Sequence, residues 1–305
     1  MDPAASIAPG EGMSPMDVPL DSRPSSRAQR SSARRERLLV LVKRPAFLIG
    51  VGVMLFWIVC AILGEHITPY DPYNGFSLGR QPPSAQHLFG TDRIGRDVLS
   101  RVMVGSRDVL IVAPLAALLG VFLGTALGLV MGFYRGVVDD ILSRIVEAFL
   151  ALPVILVALL TLVVLGSSSI VVVFVVGILF APIVARTVRS AVLSERQLDY
   201  VEAARLRGES GLYILSREIF PNVLGPTVVE LTVRFGYAIF TVATLSFLGV
   251  GLQPPSPDWG LSVSQEYTNM ISGIWWPTFF PALAIASCVI AINLIADSLQ
   301  SVLNE

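Results

Sequence analysis

The chain has 305 residues, of which 53% are hydrophobic and 15% charged, with a mean hydropathy of +0.70. A soluble domain of this size carries about 25% charged residues. Here the deficit is concentrated in long apolar stretches, which excludes a soluble globular protein and identifies an integral membrane protein. The formal net charge of −1 says nothing about partners, because basic and acidic residues are segregated along the chain.

Residues 1–37 are rich in Pro, Ser, Ala and Arg and end in Arg34-Arg35-Glu36-Arg37. This composition predicts a disordered basic tail on the membrane surface, followed by one transmembrane domain over 38–305. Six apolar stretches approach the roughly 20 residues that a helix needs to cross the hydrocarbon core: 46–64, 109–132, 141–165, 169–188, 224–249 and 278–298. The first begins too deep in the chain, and lacks the small-residue cleavage site, for a removable signal peptide. It is a retained anchor. The third and fourth are separated only by Gly166-Ser167-Ser168-Ser169, a tight turn between antiparallel helices.

Lys and Arg set the orientation. The tail, with Lys43 and Arg44, is strongly basic, and the segment 189–223 carries Arg189, Arg196, Arg205, Arg207 and Arg217. The arginines of 65–108 are offset by Glu65, Asp71, Asp92, Asp97 and Asp108, and 250–277 has no basic residue. Both termini and the segment 189–223 are therefore expected in the cytoplasm, with 65–108 and 250–277 outside. The latter contains Trp259, Tyr267, Trp275 and Trp276, amphipathic aromatics suited to the interface.

Within 65–108, Arg93, Asp97 and Arg101 repeat every four residues, and Ile94, Val98 and Val102 form the adjacent row. The spacing predicts an amphipathic helix at the outer interface, leading into the second span. In that span Gly120, Gly124, Gly128 and Gly132 form a smooth stripe on which another helix can pack closely. Pro114, Pro153 and Pro182 predict kinks. Glu230 and Arg234, and likewise Asn293 and Asp297, are i,i+4 pairs in apolar stretches. Mutual neutralisation or a contact between subunits weighs against direct contact with a substrate.

Cys60 and Cys288 sit in apolar stretches, and His66 and His87 share one loop with no cysteine or paired acid nearby, so no metal site is expected. There is no G-x-x-x-x-G-K-[ST] phosphate loop and no convincing Ser-His-Asp, Cys-His or paired-carboxylate arrangement. The chain is expected to be no enzyme, to hold no cofactor and to bind no nucleic acid.

Asp199 to Gly208 predicts a short polar helix ended by glycine, and Tyr213 to Phe220 a second one, ended by Pro221-Asn222. Here Glu202-Ala203-Ala204, Gly208 and Ile219-Phe220-Pro221-Asn222 resemble the EAA loop of ABC importer permeases. His87-Leu88-Phe89-Gly90-Thr91-Asp92-Arg93-Ile94-Gly95-Arg96-Asp97-Val98-Leu99-Ser100-Arg101 is similar to the outer segment of the dipeptide/oligopeptide branch. Ser246-Phe247-Leu248-Gly249-Val250-Gly251-Leu252-Gln253-Pro254-Pro255, with Pro257-Asp258-Trp259-Gly260, is similar to that branch's loop after the fifth span.

The resemblance runs from about residue 38 to the end. It implies an all-α type I ABC importer permease of six transmembrane helices, the C-type subunit, in a bacterial plasma membrane. Its implied partners are a B-type permease, membrane lipid, ATPase subunits that bind ATP and Mg, and an extracytoplasmic substrate-binding protein. The ATPase contact implied covers Tyr200, Glu202, Ala203, Ala204, Arg205, Arg207, Gly208 and Pro221. In it Glu202 anchors the loop by hydrogen bonds, Ala203 and Ala204 allow close packing, Gly208 turns the chain and Pro221 ends the second helix. Docking of the binding protein is expected on Arg93, Arg96, Asp97, Arg101, Gln253, Pro254, Pro255 and Trp259. The implied cargo is a dipeptide or oligopeptide; nickel chelates, glutathione and haem are the alternatives. Val242 replaces an acid common in the family, and Ala296 a usual glycine.

Overall fold

The computed structural model describes residues 41, 43–75 and 77–303. The basic tail, 1–37, lies outside them. In chain order the elements are α1 (Pro45–Ile67), α2 (Val98–Tyr134), α3 (Val137–Leu150), α4 (Val154–Leu165), α5 (Ser169–Glu195) and α6 (Asp199–Leu206). Then follow α7 (Gly211–Phe247), α8 (Trp259–Glu266), a 3-10 turn (Tyr267–Ser272) and α9 (Trp276–Leu303). Among the described residues there is no strand, only an isolated bridge between Thr91 and Asp97. By length and apolarity α1, α2, α5, α7 and α9 can each cross a membrane, and α3 with α4 makes a sixth crossing if the pair is one broken span.

That break corrects the expectation of a single helix over 141–165. α3 and α4 meet at 85° across Ala151-Leu152-Pro153. Proline has no N–H to continue the ladder, and its ring disfavours helical geometry in the residue before it. α2 is also longer than its apolar stretch. It begins at Val98, where the Asp97 side chain accepts the Ser100 N–H. Arg93 and Ile94 therefore precede the helix, and the amphipathic surface helix expected from residue 93 does not exist. The capping carboxylate stops the four-residue rows before they start.

Pro221 does not end a helix either. The segment Ile214–Ile219 is a π-helix, in which the Phe220 N–H reaches back to the Leu215 carbonyl. This wider turn makes room for the Pro221 ring and for its missing donor, so the helix continues unbroken from Gly211 to Phe247. At 37 residues and a rise of about 1.5 Å each, α7 is about 55 Å long.

The bundle is organised around α2 and α5, which run parallel. A Cβ added at Gly124 would lie 2.5 Å from the Val184 Cβ and 2.6 Å from the Ala181 carbonyl oxygen. Gly120 meets Gly177 and Phe180 in the same way, Gly128 meets Ala185 and Val188, and Gly132 meets Val192. Lipid tails are as apolar as leucine, so helices in a bilayer associate through close van der Waals contact, and small residues permit it. α1 crosses to α9, where a Cβ at Gly50 would lie 2.7 Å from the Ala291 carbonyl and where Trp57 Nε1 donates to Ser287 Oγ at 2.9 Å. α7 closes the bundle against α2, α5 and α9. The loops 68–97 and 248–275 gather at one end and the segment 196–210 at the other.

Candidate functional site

At the end formed by 68–97 and 248–275, charged side chains are turned inward. The Asp97 carboxylate accepts the Ser100 N–H and hydroxyl, each at 2.8 Å, and lies 2.9 Å from His87 Nδ1. His87 Nε2 meets Ser77 Oγ at 2.7 Å. His87 thus does have an acid partner, ten residues along the chain, contrary to expectation. Arg96 donates to Asp92 at 2.6 Å, and Arg101 to the carbonyls of Pro72 (3.0 Å) and Ser256 (3.3 Å). Trp259 is fully buried, and its indole N–H donates to the Val102 carbonyl at 2.8 Å.

Of the eight docking candidates, Arg96, Asp97, Arg101 and Trp259 are therefore buried. They tie the two loops to the start of α2 and have no side-chain surface to offer a partner. Arg93, Gln253, Pro254 and Pro255 are exposed. Arg93 is held by its backbone N–H to Glu266 Oε1 at 3.0 Å, which frees its guanidinium, and Gln253 is folded onto the carbonyls of Gly249 and Gly251. The exposed remnant is smaller and less charged than the sequence suggested.

Asp258 caps α8, with Oδ1 accepting the Leu261 N–H at 2.8 Å. It is wholly buried, and among the described residues Oδ2 has no partner. Burial, reinforced by the nearby Asp108, pushes its carboxyl up to about 6. Sequence reasoning met this residue only as part of a motif and gave it no role, although an Asp three positions before Leu261 and next to an aromatic has the spacing of a helix cap.

At the opposite end, α6 buries Val201 and Ala204 against the π-helical turn of α7, in a cluster that includes Phe133, Val192, Ile214 and Ile219. Tyr200 is the anchor. Its hydroxyl donates to Glu195 Oε2 at 2.6 Å and accepts from Asn222 Nδ2 at 3.0 Å, joining α5, α6 and α7. Burial, with the Glu195 carboxylate beside it, raises the phenol to about 12, so it stays a donor. Arg196 Nη1 donates to the Phe133 carbonyl at 2.8 Å and ties the same loop to α2.

Glu202 is exposed and, among the described residues, its carboxylate has no hydrogen-bond partner, whereas Tyr200 is bonded to both α5 and α7. Ala204 is packed and Ala203 is exposed. Arg205 lies over the Phe133 ring at 5.9 Å, and Arg207 faces Glu218 at 3.4 Å. Gly208 has φ +77° and open space around it, a left-handed turn that glycine adopts without strain. Pro221 lies inside α7 rather than in a contact surface of its own. The sequence reading also missed Leu206. It is 84% exposed at the tip of an otherwise polar segment.

Between the ends, Glu230 and Arg234 pair at 3.1 Å on α7, as the spacing predicted, and Thr187 of α5 donates to the other Glu230 oxygen at 2.8 Å.

Residues 124–305 match the family model described as binding-protein-dependent transport system inner membrane component, and residues 32–87 the N-terminal TM domain of oligopeptide transport permease C. The glutathione transport system permease protein GsiD of Shigella flexneri is 42% identical over 253 residues, covering 82% of this chain and 83% of that protein. The di/tripeptide transport system permease protein DppC of Pseudomonas aeruginosa is 36% identical over 264 residues, covering 84% and 86%. The dipeptide transport system permease protein DppC of Bacillus subtilis is 35% identical over 266 residues, covering 87% and 83%. Such permeases work with ATPase and substrate-binding partners. The chain belongs to the family of binding-protein-dependent transport system inner membrane components: it is a multi-pass permease subunit of an ABC importer, not an enzyme.

Proposed function

We propose that this chain is the C-type permease of a peptide importer and forms the translocation path with a B-type permease. Both termini and the 196–210 segment face the cytoplasm, where α6 docks on an ATPase subunit that binds ATP and Mg. The exposed part of the 68–97 and 248–275 end, with Arg93 and Gln253 to Pro255, receives the substrate-binding protein.

The observation that carries this reading is the build of α6. One face is locked to α5 and α7 through Tyr200, Val201 and Ala204, while Leu206 projects from the other. An exposed leucine on a short, firmly braced helix suits docking into an apolar groove. A displacement of α6 by its ATPase partner then passes through these contacts into α5 and α7, and the bundle rocks. Peptide handed over by the binding protein enters the opened path.

The test is reconstitution with the neighbouring permease, ATPase and binding-protein gene products, measuring ATP hydrolysis with and without short peptides. Stimulation that requires both binding protein and peptide supports the reading, and failure of any ATPase subunit to associate overturns it. Glutathione is the second reading, favoured by the GsiD relative, and stimulation by glutathione alone would establish it.

A further inference from the structure

We infer that Arg234 is a carboxylate-binding residue of the translocation path, which takes the terminal carboxylate of a passing peptide. The inference rests on the peptide-importer reading and adds to it a site and the group that the site binds.

Arg234 lies 10 residues from one end of the apolar stretch 224–249 and 15 from the other, about 15 Å and 22 Å along the helix. It is therefore deep in the membrane. Ionisable groups at such depth face a bundle interior or a water-filled path, because hydrocarbon cannot solvate them. The guanidinium makes one hydrogen bond, from Nε to Glu230 Oε2 at 3.1 Å, and both Nη groups have no partner among the described residues. An arginine has five N–H donors in a fixed fork, so four are left for something else. Glu230 accepts from Thr187 on its other oxygen at 2.8 Å, and neither Nη bonds to it. The pair cancels the charge and leaves both Nη groups without a hydrogen bond, on a side chain that is 12% exposed.

The surroundings suit a small polar ligand. The guanidinium sits 4.8 Å from the ring centre of Tyr237, a residue that is 56% exposed, and 6.0 Å from that of Phe180. On the adjacent helix Asn293 is exposed, its Oδ1 3.2 Å from where a Gly236 Cβ would stand. One turn further, Asp297 is exposed as well. Other faces of the bundle differ. α1 presents Leu48, Ile49, Leu55 and Ile62 outward, and α4 presents Leu160 and Val164, the surface expected against lipid. On α7 and α9 the polar strip interrupts a surface that also exposes Val228, Phe240 and Ile290, and a forked cation with unbonded donors there matches a carboxylate in two-point geometry.

The test uses the full complex in proteoliposomes, with a tripeptide that carries a photoreactive diazirine in its C-terminal residue and is delivered by its binding protein. Arg234→Gln should lower uptake at least tenfold, while Arg234→Lys, which keeps the charge but not the fork, restores only part of it. In the nucleotide-trapped complex, label should land on α7 or α5 beside Arg234 and fall tenfold in Arg234→Gln. Wild-type uptake by Arg234→Gln, or unchanged labelling, overturns the inference. So does separation of the two permeases in Arg234→Gln on gel filtration, which would make the open donors a contact between subunits. A wild-type complex that moves no peptide fails earlier, and removes the importer reading together with the inference.

Discussion

The contact between α2 and α5 can be tested with a single methyl group. Gly124→Ala places a Cβ 2.5 Å from the Val184 Cβ and 2.6 Å from the Ala181 carbonyl oxygen, where ordinary contact begins at 3.4 Å. Both neighbours are fixed to the backbone, so no rotamer change relieves the overlap and the helices must separate by close to 1 Å. Overpacking of this kind costs about 1–3 kcal/mol. Alanine returns about 0.8–1 kcal/mol of helix propensity, which leaves a net loss of about 1 kcal/mol and up to about 2. Gly52→Ala is the internal control: it is the same change within a helix, with nothing within 4 Å of the added methyl. It should gain only the propensity term, up to about 1 kcal/mol. Thermal unfolding of the detergent-solubilised complex compares the two directly. Equal or raised stability in Gly124→Ala would refute the packing argument. Adding Gly120→Ala to Gly124→Ala should cost less than the sum of the two, because one displacement of α5 relieves both.

Three other outcomes follow from the ends of the bundle. Gly208→Asp forces a side chain into a left-handed turn at φ +77°, a strain of about 1–2 kcal/mol in the loop alone; insertion and assembly should persist while ATP hydrolysis and uptake uncouple, and normal uptake would remove the coupling role. Arg101→Met leaves the Pro72 and Ser256 carbonyls without their donor, a loss of about 1.5–3 kcal/mol that should appear as faster proteolysis of 68–97, and unchanged protection would mean that the guanidinium does not hold the loops. Asp258 binds its proton more tightly folded, at about 6, than unfolded, at 3.8. Its contribution to stability is therefore full below pH 4 and lost as pH rises from 4 to 6, on the order of 3 kcal/mol; Asp258→Asn should flatten that slope in pH-dependent unfolding, and an unchanged slope would point to another group.

What the sequence made legible was what repeats locally. The four-residue glycine interval picked the face of α2 on which α5 lies, and apolar runs located the spans. Signals that compete at one position were misjudged. Asp97 fitted a helical row with Arg93 and Arg101, yet it equally fitted a cap, and Gly95, with φ +84°, settles the matter for the cap. Pro221 is a strong local stop, overridden by a π turn that only the packing of Ile214 and Ile219 against α6 explains. Pro153 expressed its local preference fully, and what passed for one span became two helices. The inward turning of Arg96, Asp97 and Arg101 was out of reach, because its partners include carbonyls 29 and 155 residues away.

The unbroken course of α7 has a mechanical consequence. A rod of this length, gripped at the α6 end by Tyr200 and Asn222 and carrying Arg234 near its middle, stays helical through Gly225 and Pro226, where the ladder lacks a bond. A small tilt imposed at Gly211 becomes a sideways sweep at Arg234 and a larger one at Phe247, in proportion to distance. The jointed pair α3 and α4 stands in contrast: a load on α3 is absorbed at Ala151 to Pro153 and need not reach α4. The chain thus contains both a continuous arm and a jointed one, and the continuous arm runs from the α6 end to the polar strip.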